Sequence, residues 1–296
     1  QSTDCVGNLA NVDSLTTDES FVSIDVGPPS IVSVKIFSTN EDTSYAKVGD
    51  TVFVKFIADE PLNNSSNINI LGDNQIAQNI SNTTYFSRYV LTDNDIEGKI
   101  DFSILYFDLG GQAGDNGNPY DSTTNSSYVI FDKSKPLMNS ISFLSNNDFQ
   151  NNFGRVGDSV SLNFSTNEGI RNSNINYNNT QFLLKNINFD YSSDTIFLAS
   201  WDEGHINLEI SIFDSAGNNS DTTLNNIFYD KTKPYISRIF DGDSLEDKDY
   251  LNEPNTFSFF WDSADNISGV RSTYVAIGSD SGQTDILSWT LANNIS

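Results

Sequence analysis

The stretch DGDSLEDKD at 241–249 sets Asp241, Asp243, Asp247 and Asp249 in one loop. Hard oxygen ligands at alternating positions are what a calcium ion takes. The stretch lacks the glycine at the sixth position and the closing glutamate of a helix–loop–helix calcium loop, so a site here would be of another kind. GDNGNPYD at 114–121 offers a second oxygen-rich set in Asp115, Asn116, Asn118 and Asp121. The plainer reading of both is a solvated acidic turn in a chain rich in Asp and Asn. No cofactor is required by the sequence; calcium is the candidate it suggests.

Other chemistry is sparse. His205 is the single histidine, which excludes a multi-histidine metal centre and leaves one residue through which a nucleophilic triad could run. No Ser or Cys elbow accompanies it, and it occupies the slot that Lys99 holds in a matching stretch, so it reads as a solvated strand-start residue. Acid/base pairs of the glycosidase kind need a cleft that raises one pKa by burial. No carboxylate interrupts an apolar face in this sequence, so catalysis is not expected. Trp201, Trp261 and Trp289 could stack on sugars, although a core or inter-sheet role is the simpler expectation for each. The single cysteine, Cys5, is either bonded to a residue upstream or a free thiol.

The elements that would position these residues are strands. The apolar residues are Ile, Val, Phe and Tyr in short runs, separated by Asn, Asp, Ser and Thr, which favour turns over helix interiors. No period of 3.6 persists for three turns. Forty acidic against fifteen basic residues give a net charge of −25, which argues against a nucleic-acid partner and against anionic lipid. No run of about twenty apolar residues offers a membrane span. The chain opens on Gln1 and reads as a mature or excised piece.

The sequence repeats itself. KVGDTVFVKFIADE (47–60) matches RVGDSVSLNFSTNE (155–168), and DIEGKIDFSILYFD (95–108) matches WDEGHINLEISIFD (201–214). FDKSKP ending at Pro136 matches YDKTKP ending at Pro234. Ile100, Phe102, Ile104 and Tyr106 alternate with Lys99, Asp101, Ser103 and Leu105, and Ile206, Leu208, Ile210 and Ile212 with Asn207, Glu209, Ser211 and Phe213, which puts each set on one face of a strand. Val52, Val54 and Phe56, with Val160, Leu162 and Phe164, do the same on an earlier strand. Short alternating strands with turn chemistry between them predict antiparallel β-sandwiches. The first copy keeps Asp108 but is expected to lose the compact DSAGN turn (214–218) to a longer insertion. Each Lys-Pro marks the first strand of a new module, on a short linker, and a rod of end-to-end modules is expected. Asn40, Glu41 and Asp42 are expected near Asp132, where a cation could stiffen the joint; water and salt screening is the simpler account.

These motifs, in this order, resemble the tandem bacterial Ig-like repeats of large secreted and cell-surface proteins, over about residues 29–233. The segment 257–290, with Trp261, the Ser268-Gly269-Val270 turn and YVAIGS, resembles the first half of a fibronectin type III-like module. The implied layout is an N-terminal segment or tail of a preceding module at 1–28, Ig-like sandwiches at 29–135 and 136–233, and an incomplete fibronectin type III-like module at 234–296. The fold class is all-β. The resemblance implies an extracellular or cell-surface location and a non-catalytic structural or adhesive stalk. It also implies a monomeric rod within a longer chain, with a cell-surface protein or glycan as the kind of partner. The alternative is an accessory spacer or carbohydrate-binding region of a large extracellular hydrolase.

Overall fold

The computed structural model describes residues 2–9, 18, 20, 22, 24, 27–177, 180–241 and 258–292. The chain divides into two compact units, Gln1–Lys133 and Ser134–Ser296. Among the described residues there is no α-helix.

The first unit contains β1 (Ile31–Ser38), β2 (Tyr45–Ala46), β3 (Thr51–Ala58), β4 (Asn67–Ile70), β5 (Asp73–Ile76), β6 (Gln78–Ser81), β7 (Thr84–Val90), β8 (Gly98–Lys99), β9 (Phe102–Leu105) and β10 (Ile130–Phe131). One sheet has the order β1-β3-β7-β6, and the strands β2-β10-β8 and β5-β4-β9 form two further sheets. The alternation read from sequence appears as burial: Val52, Val54, Phe56, Ile100, Ile104 and Tyr106 are buried in one core, with Phe102 packed against its margin.

The second unit opens with β11 (Met138–Ser145), β12 (Phe153–Gly154), β13 (Ser159–Thr166), β14 (Asn172–Tyr177), β15 (Thr180–Gln181), β16 (Lys185–Ile187), β17 (Asp190–Ile196), β18 (Gly204–Phe213) and β19 (Asn219–Tyr229). They form sheets β11-β13-β17-β16 and β12-β19-β18-β14-β15. Ile206, Leu208, Ile210 and Ile212 are buried from β18, facing Val160, Leu162 and Phe164 in the same core. Trp201 closes that core, its ring edge-on to Tyr177 at 4.8 Å and to Phe197 at 5.5 Å. Its indole N–H donates to Thr180 Oγ1 at 3.1 Å, so the polar end of a buried ring is satisfied.

The two sandwiches repeat in their hydrogen bonds as well as in their strands. In the K/R-V-G-D turn, Asp50 Oδ2 accepts from Lys47 N–H at 2.8 Å and Asn40 Nδ2 at 2.9 Å. Asp158 Oδ2 accepts from Arg155 N–H at 3.1 Å and Asn147 Nδ2 at 2.7 Å. Gly49 and Gly157 stand at φ +91° and +90°, which is why this turn writes glycine both times.

The insertion in the first copy is part of the fold. It lays Tyr120 beside Ile104 in an antiparallel bridge, and Gly114 lies so close to the Tyr106 ring that a Cβ would sit 2.0 Å from it. Thr124 Oγ1 and Ser127 Oγ then accept from Val34 and Ile36 N–H, each at 3.0 Å, covering the exposed edge of β1.

The last strands are β20 (Tyr235–Asp241), β21 (Phe259–Ala264), β22 (Tyr274–Ile277) and β23 (Leu287–Leu291), paired β20-β21 and β22-β23. Their pairing departs from the preceding module. There β14 pairs with β18 and β17 with β13, whereas here the two hairpins stand without such partners among the described residues. Ile239, Tyr274 and Trp289 are exposed as a result.

Candidate functional site

Of the acidic loop at 241–249, Asp243, Asp247 and Asp249 lie outside the described residues. Asp241 ends β20, its backbone paired with Phe259. At 114–121 the chain forms a short 3-10 turn, Gly114–Gly117, with Asp115 and Asn116 at positive φ. Asn118 Nδ2 donates to Asp115 O at 3.1 Å and Asp121 Oδ1 accepts from Ser122 Oγ at 3.2 Å, so these side chains serve the loop itself.

His205 is exposed at the start of β18, as its Lys99 counterpart suggested. Its ring centroid lies 3.7 Å from that of Phe228, and Nδ1 is 3.1 Å from Asn225 O. The tryptophans divide: Trp201 is core, Trp261 is half-buried, and Trp289 is 69% exposed. Trp289 lines an open cleft with Ile236, Ile239 and Trp261 of the other hairpin, so its position is inter-sheet but it is not packed into a core. Cys5 is exposed.

Three features recur in both copies. The first is a parallel seam. β2 pairs with β10, Tyr45 beside Ile130, and β12 pairs with β19, Phe153 beside Phe228. Ile130 N–H donates to Ser44 O and Asp132 N–H to Ala46 O, both at 2.9 Å. Phe228 N–H donates to Asn152 O and Asp230 N–H to Gly154 O, again at 2.9 Å. In the 40–44 loop Asn40 Nδ2 donates to Asp50 Oδ2 and Asp42 Oδ1 accepts from Ser44 Oγ.

The second is a lysine–glutamate latch at the exit of the last strand. Lys133 N–H donates to Glu97 Oε1 at 2.8 Å, and Lys133 Nζ donates to Asp93 O and Asp95 O at 2.6 and 2.9 Å. Lys231 N–H donates to Glu203 Oε1 at 2.7 Å, with Lys231 Nζ on Ala199 O and Trp201 O at 3.3 and 2.9 Å. Hydrogen bonds from the Thr232 hydroxyl and then Lys231 N–H hold Glu203 below the ordinary glutamate pKa. Burial alone would raise Asp95, but N–H and O–H donors from Thr92 and Tyr89, with the Lys133 charge, bring it below its ordinary value. The repeated Asp-Lys phrase is thus a working latch, and the lysine that makes it precedes the one before proline.

The third is a turn around a buried aspartate. Asp214 N–H donates to Asn218 O at 3.1 Å, Gly217 N–H to Asp214 O at 3.3 Å, and Asn218 N–H to Asp214 Oδ1 at 2.9 Å. In DLGGQ, Asp108 N–H donates to Gln112 O at 3.0 Å, Gly111 N–H to Asp108 O at 3.2 Å, and Gln112 N–H to Asp108 Oδ1 at 2.8 Å. The first copy therefore keeps the turn, and the insertion begins after it, which corrects the reading that the turn is lost. Asp108 and Asp214 are 0% and 1% exposed, so carboxylates do enter the interior, at strand ends.

The second unit also holds an open cleft of about 470 Å³, lined by Phe149, Arg155, Lys231, Lys233 and Arg271 among others. Arg271 lies over the Phe149 ring at 3.9 Å.

No protein-family model matches the sequence, and no curated protein matches it. Among solved structures, the I-band fragment I67-I69 from titin is 8% identical, covering 86% of this chain and 86% of that one, with a TM-score of 0.43. The fibronectin(III)-like modules of Clostridium thermocellum CbhA are 8% identical over 67% of this chain and 93% of that one, TM-score 0.35. The N-terminal Ig1-2 module of Drosophila receptor protein tyrosine phosphatase DLAR is 12% identical over 69% and 100%, TM-score 0.25. The strand orders of the first two modules are themselves those of tandem antiparallel β-sandwiches of Ig-like type.

Proposed function

We propose that the chain is a non-catalytic stalk segment, structural or adhesive, of a large bacterial secreted or cell-surface protein. The observation that carries this reading is the parallel seam in each repeat. β2 and β12 lie near the start of their modules, and β10 and the end of β19 lie at the finish. Tension on the two ends of a module pulls such parallel strands in opposite directions along their axes. The inter-strand hydrogen bonds are then loaded together in shear, whereas a hairpin pulled from its open end parts one bond at a time. A latch beside each seam adds to the resistance. The test is to pull the whole chain from its ends in a single-molecule instrument. Two separate unfolding events are expected, each releasing roughly 100 residues, on the order of 300 Å of chain. Smooth extension without discrete events would refute the reading.

The second reading, an accessory or carbohydrate-binding region of an extracellular hydrolase, is favoured by the cleft around Phe149 and Arg271. An aromatic face beside cationic groups suits an acidic sugar. Retention by immobilised acidic polysaccharide, lost in Arg271→Glu, would support it; the absence of retention would leave the stalk reading alone.

A further inference from the structure

The two repeats share a core pattern and differ on one outer face. In the first unit, alternate residues of β1, β3 and β7 turn to the core, while Lys35, Phe37, Phe53, Lys55, Phe86 and Arg88 turn the other way. Phe37 is paired with Phe53, Phe53 with Arg88, and Lys55 with Phe86. The three rings therefore form a row across three strands, with successive centroids 5.3 and 6.4 Å apart. Lys35 Nζ stands 5.0 Å from the Phe37 ring centroid. Lys35 and Arg88 are exposed; Lys55 and the rings are half-buried. No carboxylate occupies an outward position of these three strands, and none of the three cations is in an ion pair among the described residues.

The second repeat supplies the control. The same places on β11, β13 and β17 hold Ser142, Leu144, Ser161, Asn163, Ser192 and Asp194, in the same register. There Ser161 Oγ donates to Asp194 Oδ1 at 2.6 Å. Cross-strand aromatic pairs do stabilise a sheet, but the second copy forms this sheet without them, so the fold does not account for the row of rings. The strip carries three of the fifteen basic residues and none of the forty acidic ones, which reverses the charge of the chain locally. At physiological ionic strength charges beyond about 8 Å are largely screened, so a ligand at the strip meets these cations and not the whole chain.

We propose that this face of the first sandwich binds an extended acidic polysaccharide. Carboxylated sugars pack their C–H faces along the phenylalanine row, while Lys35, Lys55 and Arg88 pair with the carboxylates. A protein partner ordinarily takes about 20–30 residues on a side, far more than this strip offers. A nucleic acid is commonly held at about six to ten phosphates, against three cations here. The proposal gives the adhesive form of the stalk a ligand and rests on that reading for its setting only; unfolding force and sugar binding are separate readouts, and either can fail alone.

The test is retardation of the whole chain by polygalacturonate in affinity electrophoresis, repeated at rising salt. Wild type should be retarded, less so as salt rises, and neutral dextran should not retard it. The substitutions copy residues that the second repeat already tolerates. Arg88→Asp should weaken binding by about tenfold or more and Phe53→Ser by about fivefold. Lys35→Ser, an exposed change that leaves the ring row in place, should weaken it as well and keeps the test open if Phe53→Ser fails to fold. Poly-glutamate should bind markedly less than polygalacturonate, because it lacks the sugar faces. No retardation of wild type, equal binding of poly-glutamate, or binding that survives all three changes would overturn the proposal. Binding lost only in Arg271→Glu would place the sugar in the cleft of the second unit, and self-association abolished by Arg88→Asp would make a second copy the occupant; either result also overturns it.

Discussion

Replacing Ile210 by alanine tests the sandwich at its centre. Ile210 is 1% exposed in the middle of β18, with Ile175 on one flanking strand and Thr222 on the other. The change removes three carbon groups, and at about 0.8 kcal/mol per buried group the transfer loss is about 2.4 kcal/mol. Hydrogen-bonded strands on both sides limit collapse into the space left, so a cavity contribution adds to this, and the total should fall within about 2–5 kcal/mol. That is a large part of the roughly 5–15 kcal/mol that holds an ordinary domain folded. Equilibrium urea unfolding is the assay, followed by fluorescence of Trp201 in a background where Trp261 and Trp289 are phenylalanine. Trp201 is buried in the same core, so its signal reports the module carrying the mutation. The midpoint should fall with unchanged slope. Glu209→Ala, on the exposed face of the same strand, should shift stability by less than about 0.5 kcal/mol. A cost that small for Ile210→Ala would place it on the surface and refute the strand alignment.

Gly154→Ala should destabilise the second unit by about 1–3 kcal/mol, because its Cβ would sit 2.2 Å from the Phe197 ring; much of the cost should disappear in Gly154→Ala with Phe197→Leu. Asp59, Asp95, Asp265 and Asp285 all titrate below 3.8 in the folded chain, and Glu203 below 4.5. Their stabilisation is present above those unfolded values and is lost as pH falls through the lower folded ones. Urea midpoints should therefore decline below about pH 4; a flat profile down to pH 2 would count against these bonds. The hairpins β20-β21 and β22-β23 should exchange their amides at least tenfold faster than β18, as an incomplete module would; equal protection would show that the module is closed by contacts of another kind.

The cores were legible because burial on one sheet face imposes a period of two, as at Val160, Leu162 and Phe164. The parallel seams were not, because Tyr45–Ala46 and Phe153–Gly154 are two-residue strands, too short for any pattern. Their signal was the recurrence of YAKVGD and FGRVGD opposite VIFDK and IFYDK. The turn at Asp108 was misread because glutamine replaced asparagine. The backbone pattern needs only the carboxylate and a glycine of positive φ, here Gly111 at +89°. The buried acids escaped notice for the same reason that alternation succeeds elsewhere: Asp108 and Asp214 sit past the strand ends, where periodicity carries no information. The exposure of Trp289 was not legible, because a hydrophobic residue declares its preference and not how closely the facing hairpin packs on it.

The central claim is that each repeat resists tension through its parallel seam, and Ile130→Pro tests it most directly. Proline removes the N–H that donates to Ser44 O, leaving the second repeat untouched. In single-molecule pulling of the whole chain, one of the two unfolding events should move to clearly lower force while the other keeps its wild-type value. If both events keep their wild-type forces, the seam does not bear the load and the account is contradicted.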